Sequence, residues 1–494
     1  MVSRTKPSQI AKGSKPQRRA YQTFTSRAKR NSRHRRLSRR YLLVALILSL
    51  IIVACTNTSK SYPPAIAESP LASTALTIWW DKGFTVEEDE ALQKLVSRWE
   101  QQTGNRVKLS FYTTDELPQK AQRAIQAGHP PDILTSHSAE RVLIPRLGWE
   151  GKLVDVSDIV NPVKSLYSET VLSGVYLYNN IAKKRSYYAI PVSQGTTLIF
   201  YWRDLLKLAG RSDKDIPKNW DAFWQFWEQV QDILRTQHNM KIYGLGFPMS
   251  SGAGDTYQTF EHILEAYNIE ILDSQGQLQV DAPKVRQGII DSLDWYTKFY
   301  KQGYVPQDAV NWLNPDNNRS LLNRLVVMTP NNSLSITAAV RQDPDTYRNL
   351  STLEFPKKPN GKSMRHIVTI RSAVIFTQSK NQKLAKDFLA YLSKPKVTAE
   401  YLKAAGGQNL PVQKSDLLGS FSDPADPHIS TATKVVIEGQ TRLFYIVQNP
   451  AYSFVLKENI WGKALSKVVV DGISPEQAAD EAIERIKQIF NQWQ

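Results

Sequence analysis

The stretch Leu76–Leu134, LTIWWDKGFTVEEDEALQKLVSRWEQQTGNRVKLSFYTTDELPQKAQRAIQAGHPPDIL, changes periodicity repeatedly along its length. Leu76-Thr77-Ile78-Trp79-Trp80 alternates as a strand and ends at Asp81-Lys82-Gly83. Glu87-Glu88-Asp89-Glu90 follow in a first helical turn, where carboxylates meet the positive end of the helix dipole. Leu92, Leu95, Val96 and Trp99 then recur at helical spacing until Gly104 stops the run. Val107, Leu109 and Phe111 alternate as a second strand. Thr114 or Asp115 is placed to cap a helix carrying Ala121, Ala124 and Ile125, and Pro130-Pro131 leads into a third strand at Asp132-Ile133-Leu134. Strand, helix, strand, helix, strand in this order predicts a parallel, right-handed α/β sheet buried on both faces.

The remaining chain repeats these units. Tyr188-Ala-Ile-Pro-Val-Ser-Gln-Gly-Thr-Thr-Leu-Ile-Phe-Tyr-Trp202 is a proline turn feeding a strand, and Asn219 caps a helix whose Trp220, Phe223, Trp224, Trp227 and Val230 form one core-facing stripe. Strands are expected at Tyr243–Phe247, Leu325–Met328 and Ile367–Phe376, with a helix around Ile289–Tyr300. Ser474-Pro475-Glu476-Gln477 reads as a capping box with Pro at the first helical position, opening a last helix with Ala479, Ile483, Ile486, Phe490 and Trp493 on its apolar face.

Upstream, Tyr41–Ala54 is an uncharged, mostly apolar run that reaches Cys55, the only cysteine in the 494 residues. A spanning helix needs about 20 apolar residues, so the run suits the h-region of an export signal. Ile52-Val53-Ala54-Cys55 resembles the bacterial lipobox, which implies cleavage before Cys55 and attachment of the mature chain to a membrane through lipid on that residue. Ser38-Arg39-Arg40-Tyr41-Leu42-Leu43 resembles a twin-arginine signal, and an ordinary basic n-region is the alternative. Residues 1–40 hold 14 of the 63 Lys and Arg and no Asp or Glu, which leaves 49 basic against 46 acidic residues after them. The formal charge of +17 is therefore a property of the leader, and the exported part does not read as a nucleic-acid binder. With one cysteine, the fold gains nothing from disulfides.

Five landmarks in order carry a family resemblance: Leu76–Trp80 with its acidic helix; Pro130-Pro131-Asp132-Ile133-Leu134; Ala189-Ile190-Pro191-Val192 with Thr196–Tyr201; Ile216-Pro217-Lys218-Asn219-Trp220-Asp221-Ala222-Phe223; and Gly472–Ala479. Together they resemble the family 1 extracellular solute-binding proteins, the group containing the maltose- and maltodextrin-binding proteins of ABC importers. The resemblance implies an α/β, periplasmic-binding-protein-like monomer: two α/β lobes joined by a multi-crossing hinge, closing on a ligand between them. Residues 1–54 would be the basic n-region and signal peptide, and 55–75 the lipidated cysteine and tether. Lobe one would comprise 76–188 plus 365–405, and lobe two 189–364 plus 406–494. It also implies an ABC permease as partner, no cofactor and no metal. Where the family usually has Gly and then an aromatic after the Met-containing strand, this chain has Asn331-Asn332-Ser333.

Open α/β sheets bind ligands beyond the carboxyl ends of their strands. Sugars ask for paired donors and acceptors with aromatic faces alongside. Strand-end loops supply Trp80, Asp81, Ser136, His137, Gln194, Asp255, Tyr257, Trp312, Asn331, Asn332 and Arg371, and the C-terminal segment adds Tyr452 and Trp461 where the family places ligand aromatics. One of Trp79 and Trp80 must face the core. His137 has no His or Cys at ligand spacing, so it reads as a hydrogen-bonding residue. The reading is a lipid-anchored binding protein for an oligosaccharide or polyol, not an enzyme. Its rivals are a binding protein for a phosphate ester, polyamine or compatible solute, and a lipid-anchored glycosidase. The last needs two carboxylates about 5 to 10 Å apart, a requirement Asp81 and Asp255 are the candidates to meet. Gly361-Lys362-Ser363 lacks the first glycine of a phosphate loop, Pro356 standing there, and His262 with Glu265 reads as a solvated helix face. Replacing Asp81 or Trp461 with Ala is expected to weaken solute binding by about 1 to 4 kcal/mol, measured by calorimetry, wherever the residue is a true contact.

Overall fold

The structure, a computed structural model, describes residues 75–419, 421 and 423–493. Cys55, the apolar run before it and the basic leader lie outside the described residues, and no described helix is long and apolar enough to cross a membrane.

In chain order the first elements are β1 (Leu76–Asp81), α1 (Val86–Thr103), β2 (Val107–Tyr112), α2 (Leu117–Gln126), β3 (Ile133–Thr135) and the short α3 (Ala139–Val142). A hairpin of β4 (Tyr176–Asn179) and β5 (Lys184–Tyr187) leads to β6 (Ile190–Thr196) and, one residue later, β7 (Leu198–Trp202). Then come α4 (Trp220–His238), β8 (Tyr243–Leu245), α5 (Gly254–Ala266), α6 (Pro283–Lys301), β9 (Val326–Asn331), β10 (Leu350–Leu353) and the long β11 (Arg365–Ile375). The chain finishes with α7 (Gln382–Leu392), α8 (Pro395–Ala404), β12 (Gln440–Arg442), α9 (Tyr452–Lys457), α10 (Ile460–Ser466) and α11 (Pro475–Gln492).

Two sheets organise these elements. The first has the order β12-β11-β3-β1-β2, with β6 also on β11; the second has the order β10-β7-β9-β8. β1 runs parallel to β2 and β3, whereas β11 is antiparallel to β3 and β6. The chain passes from the first sheet to the second at Thr197, returns between Leu353 and Arg365, and sends β12 back to β11 near the end. Alternation decides what each face buries: Leu76, Ile78 and Trp80 point into the core shared with the second sheet, while Leu134, Val368 and Val374 point into a second core with Leu117, Ala121 and Val171. Trp80 is thus the core-facing member of its pair, and Trp79 lies half-buried beside Tyr112, ring centroids 5.2 Å apart.

Several local expectations change. β2 is an edge strand and stays half-buried, because only β1 pairs with it. α2 starts after Glu116 without a side-chain cap from Thr114 or Asp115; Thr113 Oγ1 accepts from Glu116 N–H instead at 3.3 Å. At α11 Ser474 Oγ accepts from Gln477 N–H at 3.1 Å, but Gln477 reaches forward to Glu481, so one arm of the box forms. His262 and Glu265 are buried, not solvated, because β11 supplies polar partners to both, the Ile367 N–H donating to His262 and Arg365 to Glu265. Gly104 ends α1 at φ 73° and Asn219 Oδ1 accepts from Ala222 N–H at 3.1 Å to start α4, as expected, whereas the strand expected at Tyr243–Phe247 ends at Leu245.

The stripe on α4 is core. Trp224 is packed by Trp220, Phe223, Phe247 and Trp295 at centroid distances of 5.0 to 5.4 Å. Trp224→Ala is expected to cost about 3–5 kcal/mol of stability, read as a lower urea midpoint.

Candidate functional site

Parallel β1 and β3 deliver their carboxyl ends to one place, and β11 passes antiparallel beside β3 with Arg371 in its middle. Arg371 Nη1 donates to Glu88 Oε1 at 3.0 Å, and Nη2 lies 3.5 Å from Asp81 Oδ2. Asp81 Oδ2 also accepts from the His137 N–H at 2.5 Å. Burial pushes the Asp81 carboxyl up to about 6 even though Arg371 and the His137 N–H pull it down. His137 is held well below its ordinary value, by burial and then by Arg371 and Arg141, so it is neutral at physiological pH. On α3, Ala139 N–H donates to Ser136 Oγ at 3.2 Å, and the next two residues carry charge into the interior. Arg141 Nη1 donates to Glu140 Oε1 at 2.7 Å, and Glu140 Oε2 has no partner among the described residues. Burial raises Glu140 to about 8 against the opposing pull of Arg141 and Arg371.

The facing wall comes from the second half of the chain. Arg141 Nε donates to Tyr257 Oη of α5 at 2.9 Å. Asn314 Oδ1 accepts from Asp255 N–H at 3.1 Å, while its Nδ2 donates to Asp115 Oδ1 at 3.3 Å. Lys457 Nζ donates to Gln122 Oε1 at 3.4 Å. Three side-chain contacts therefore span the cleft between residues 115–141 and residues 257–457. They border a cavity of about 250 Å³ whose lining includes Asp115, Ser138, Ser251, Tyr257, Asn314 and Asn459. Asp255 is raised to about 6 by burial, opposed by Arg141 and reinforced by Asp115. Such a surface offers carboxylate, hydroxyl and amide groups within one concavity. Among the described residues no group of His, Cys, Asp and Glu is arranged to hold a metal ion.

Of the residues singled out in the sequence, Asp81, Ser136, His137 and Arg371 come together on one side, and Asp255 and Tyr257 stand across from them. Asn332 hydrogen-bonds Gln258 and so braces α5. The others serve the framework. Trp80 is fully buried with its ring 5.9 Å from the Arg371 guanidinium carbon. Gln194 exchanges backbone hydrogen bonds with Leu410 and donates from Nε2 to Pro411 O at 2.8 Å. Asn331 Nδ2 donates to Ser333 O and Ser335 Oγ, and Trp312 is a core residue. Tyr452 and Trp461 lie in the core instead of on the cavity wall: Trp461 Nε1 donates to Tyr452 Oη at 3.1 Å, which donates to Glu261 Oε1 at 2.7 Å. Their aromatic area packs against α5, so loss of Trp461 registers first as lost stability. Sequence reading missed Glu140, Arg141, Asp115, Asn314 and Asn459. A carboxylate and an arginine just past a buried strand end were the available signal for the first pair.

A profile of the bacterial extracellular solute-binding protein family matches residues 85–399. The galactooligosaccharide-binding protein of Bacillus subtilis (strain 168) is 22% identical over 456 residues, covering 90% of this chain and 96% of that protein. The arabinooligosaccharide-binding protein of the same organism is 22% identical over 360 residues, covering 71% of this chain and 75% of that one. Among solved structures, an ABC transporter solute-binding protein from Thermotoga lettingae with bound α-D-tagatose superposes with TM-score 0.71 at 19% identity, covering 84% of this chain and 100% of that chain. Maltose-bound MalE3 of T. maritima gives 0.66 at 18% identity, with coverage of 84% and 100%. These structural likenesses show that the fold is that of the periplasmic solute-binding proteins.

A carboxyl raised by folding stabilises the fold below its unfolded pKa, and that contribution is lost as pH climbs to its folded value. For Glu140 the window runs from its ordinary 4.5 to about 8. Urea titrations should therefore show the wild type losing about 2–5 kcal/mol relative to Glu140→Gln between pH 5 and 8. A flat difference would contradict the buried, half-partnered state of this acid.

Proposed function

The chain belongs to the bacterial extracellular solute-binding protein family, and from that premise we propose that it captures an oligosaccharide in the Arg141–Tyr257 cleft and presents it to an ABC permease. The observation that supports this most is the cleft itself. Groups from both halves of the chain meet across a cavity lined by a carboxylate, hydroxyls and amides, with Tyr257 in its wall and Arg141 donating to the Tyr257 hydroxyl. In this reading the halves move where the chain passes between sheets, at Thr197 and between Leu353 and Arg365. Solute then substitutes its own hydroxyls for water and stabilises the closed arrangement, which a permease can tell from an open one. Lipid on Cys55 would hold the protein at the outer face of its membrane. The protein binds without turnover, as its relatives are named for binding.

Charge narrows the solute. The charged residues lining the cavity are Asp115 and Lys457, one of each sign, and Arg371 is already held by Glu88 and Asp81. A phosphate ester would meet one carboxylate and one cation there, whereas the hydroxyls of a saccharide find hydroxyl and amide partners in Ser138, Ser251, Tyr257, Asn314 and Asn459. The names of the curated relatives point the same way.

The test is a thermal-shift screen followed by calorimetry with galactotriose, arabinotriose, maltotriose, spermidine and glycerol 3-phosphate. Ligand at 100 times Kd adds about 2.7 kcal/mol of stability. One or more trisaccharides should shift the melting temperature and be recovered intact, and glycerol 3-phosphate should not. Shifts only with spermidine or the phosphate ester would overturn the saccharide reading, and recovery of cleaved sugar would make the protein an enzyme. Tyr257→Phe removes the hydroxyl that receives Arg141 and should raise Kd about tenfold or more, since a hydrogen bond to a charged group is worth about 1.5–3 kcal/mol.

A further inference from the structure

α5 carries its polar residues at a spacing that places Tyr257, Glu261 and Glu265 on one side of the helix. At 1.5 Å per residue, the first and last of these are separated by about 12 Å. The Tyr257 end meets Arg141 in the cleft. The Glu265 end enters a cluster of cations contributed by three separate segments. Lys358 Nζ donates to Oε1 at 2.7 Å, Arg365 donates from Nε to Oε1 at 3.0 Å and from Nη2 to Oε2 at 2.9 Å, and Arg442 Nε donates to Oε2 at 2.8 Å. Burial alone would raise this carboxyl, yet the three cations hold it at about 2, so it stays ionised throughout the physiological range.

The origin of these cations matters. Lys358 lies in the segment that returns from the second sheet to the first, Arg365 opens β11, and Arg442 ends β12. A second tie lies one turn away, where the Ile367 N–H of β11 donates to His262 Nε2 at 3.3 Å. α5 is thus fastened to the first sheet at the end remote from the cleft, and a forked Arg–carboxylate pair fixes direction as well as distance. Between the two ends Glu261 is held by Tyr452. Tilting or sliding α5 would leave a buried charge uncompensated.

We propose that Glu265 is a positioning residue of the binding site: by pinning α5 to β11 and β12 it sets where Asp255 and Tyr257 stand against Arg141. The proposal rests on the reading of the cleft as a saccharide site, and it separates from a purely structural role because positioning must change affinity at unchanged fold. Arg365→Gln removes one cation and leaves Lys358 and Arg442 on the carboxylate; Glu265→Gln removes the hub; Leu389→Ala, in the core of α7, is a destabilised control distant in sequence from α5 and from these cations.

Kd for galactotriose, arabinotriose and maltotriose is measured at a temperature where circular dichroism shows each variant folded. Arg365→Gln should raise Kd three- to tenfold and Glu265→Gln tenfold or more, with Leu389→Ala unchanged despite an equal or larger fall in Tm. In the ligand-free protein, amide exchange at residues 254–258 should quicken at least tenfold in Arg365→Gln. Wild-type affinity and exchange in Arg365→Gln, or affinity that follows Tm across all three variants, would overturn the proposal even if Glu265→Gln fails to fold. If no trisaccharide binds the wild type, the saccharide reading falls, and the exchange measurement still decides whether Glu265 positions α5.

Discussion

Arg371 is a full charge placed inside the first sheet, and burying it is tolerable only because Glu88 and Asp81 meet it there. An unpaired ion in that position would cost several kcal/mol. The pairing has a geometric consequence. It ties a strand from residues 365–375 to the carboxyl end of β1 and the first turn of α1. Trp80 lies beneath the guanidinium and contributes apolar packing and a favourable ring face. The sequence distance between these partners is large, and the loop entropy of bringing them together is repaid only once both cores are formed.

The same rule governs the rest of the interior. Arg141 is buried because Glu140 and Tyr257 receive it, and Glu265 because three cations surround it. Where acids exceed cations, burial shows as raised carboxyls: Asp81 and Asp255 at about 6, Glu140 at about 8. Asp81 Oδ1 and Glu140 Oε2 are left without a hydrogen-bond partner among the described residues.

Much of the fold was legible because it depends on local periodicity. The β1–α1–β2–α2–β3 run reads directly from alternation and helical spacing, and the α4 stripe from four aromatics on one face. Asp81, Ser136 and His137 were legible as residues at strand ends, whereas Asp255 and Tyr257, expected in a strand-end loop, stand in the first turn of α5. Tyr452 and Trp461 misled because an aromatic residue suits a sugar face and a core equally well, and only the packing of α9 and α10 on α5 separates these. His262 and Glu265 misled for the opposite reason. Their polarity suggests solvent, whereas partners from residues 358, 365, 367 and 442 make burial favourable.

By itself the sequence determined the order of the first strands and helices and the α/β class, because hydrophobic spacing is a property of neighbouring residues. Only the tertiary structure decided which polar residues face each other across the cleft. Arg141 meeting Tyr257, Asn314 bridging Asp255 and Asp115, and Glu265 gathering Lys358, Arg365 and Arg442 are pairings between distant segments. Charge pairing acts over a few ångströms in space and is indifferent to separation along the chain, so it becomes visible only when the two sheets are in place.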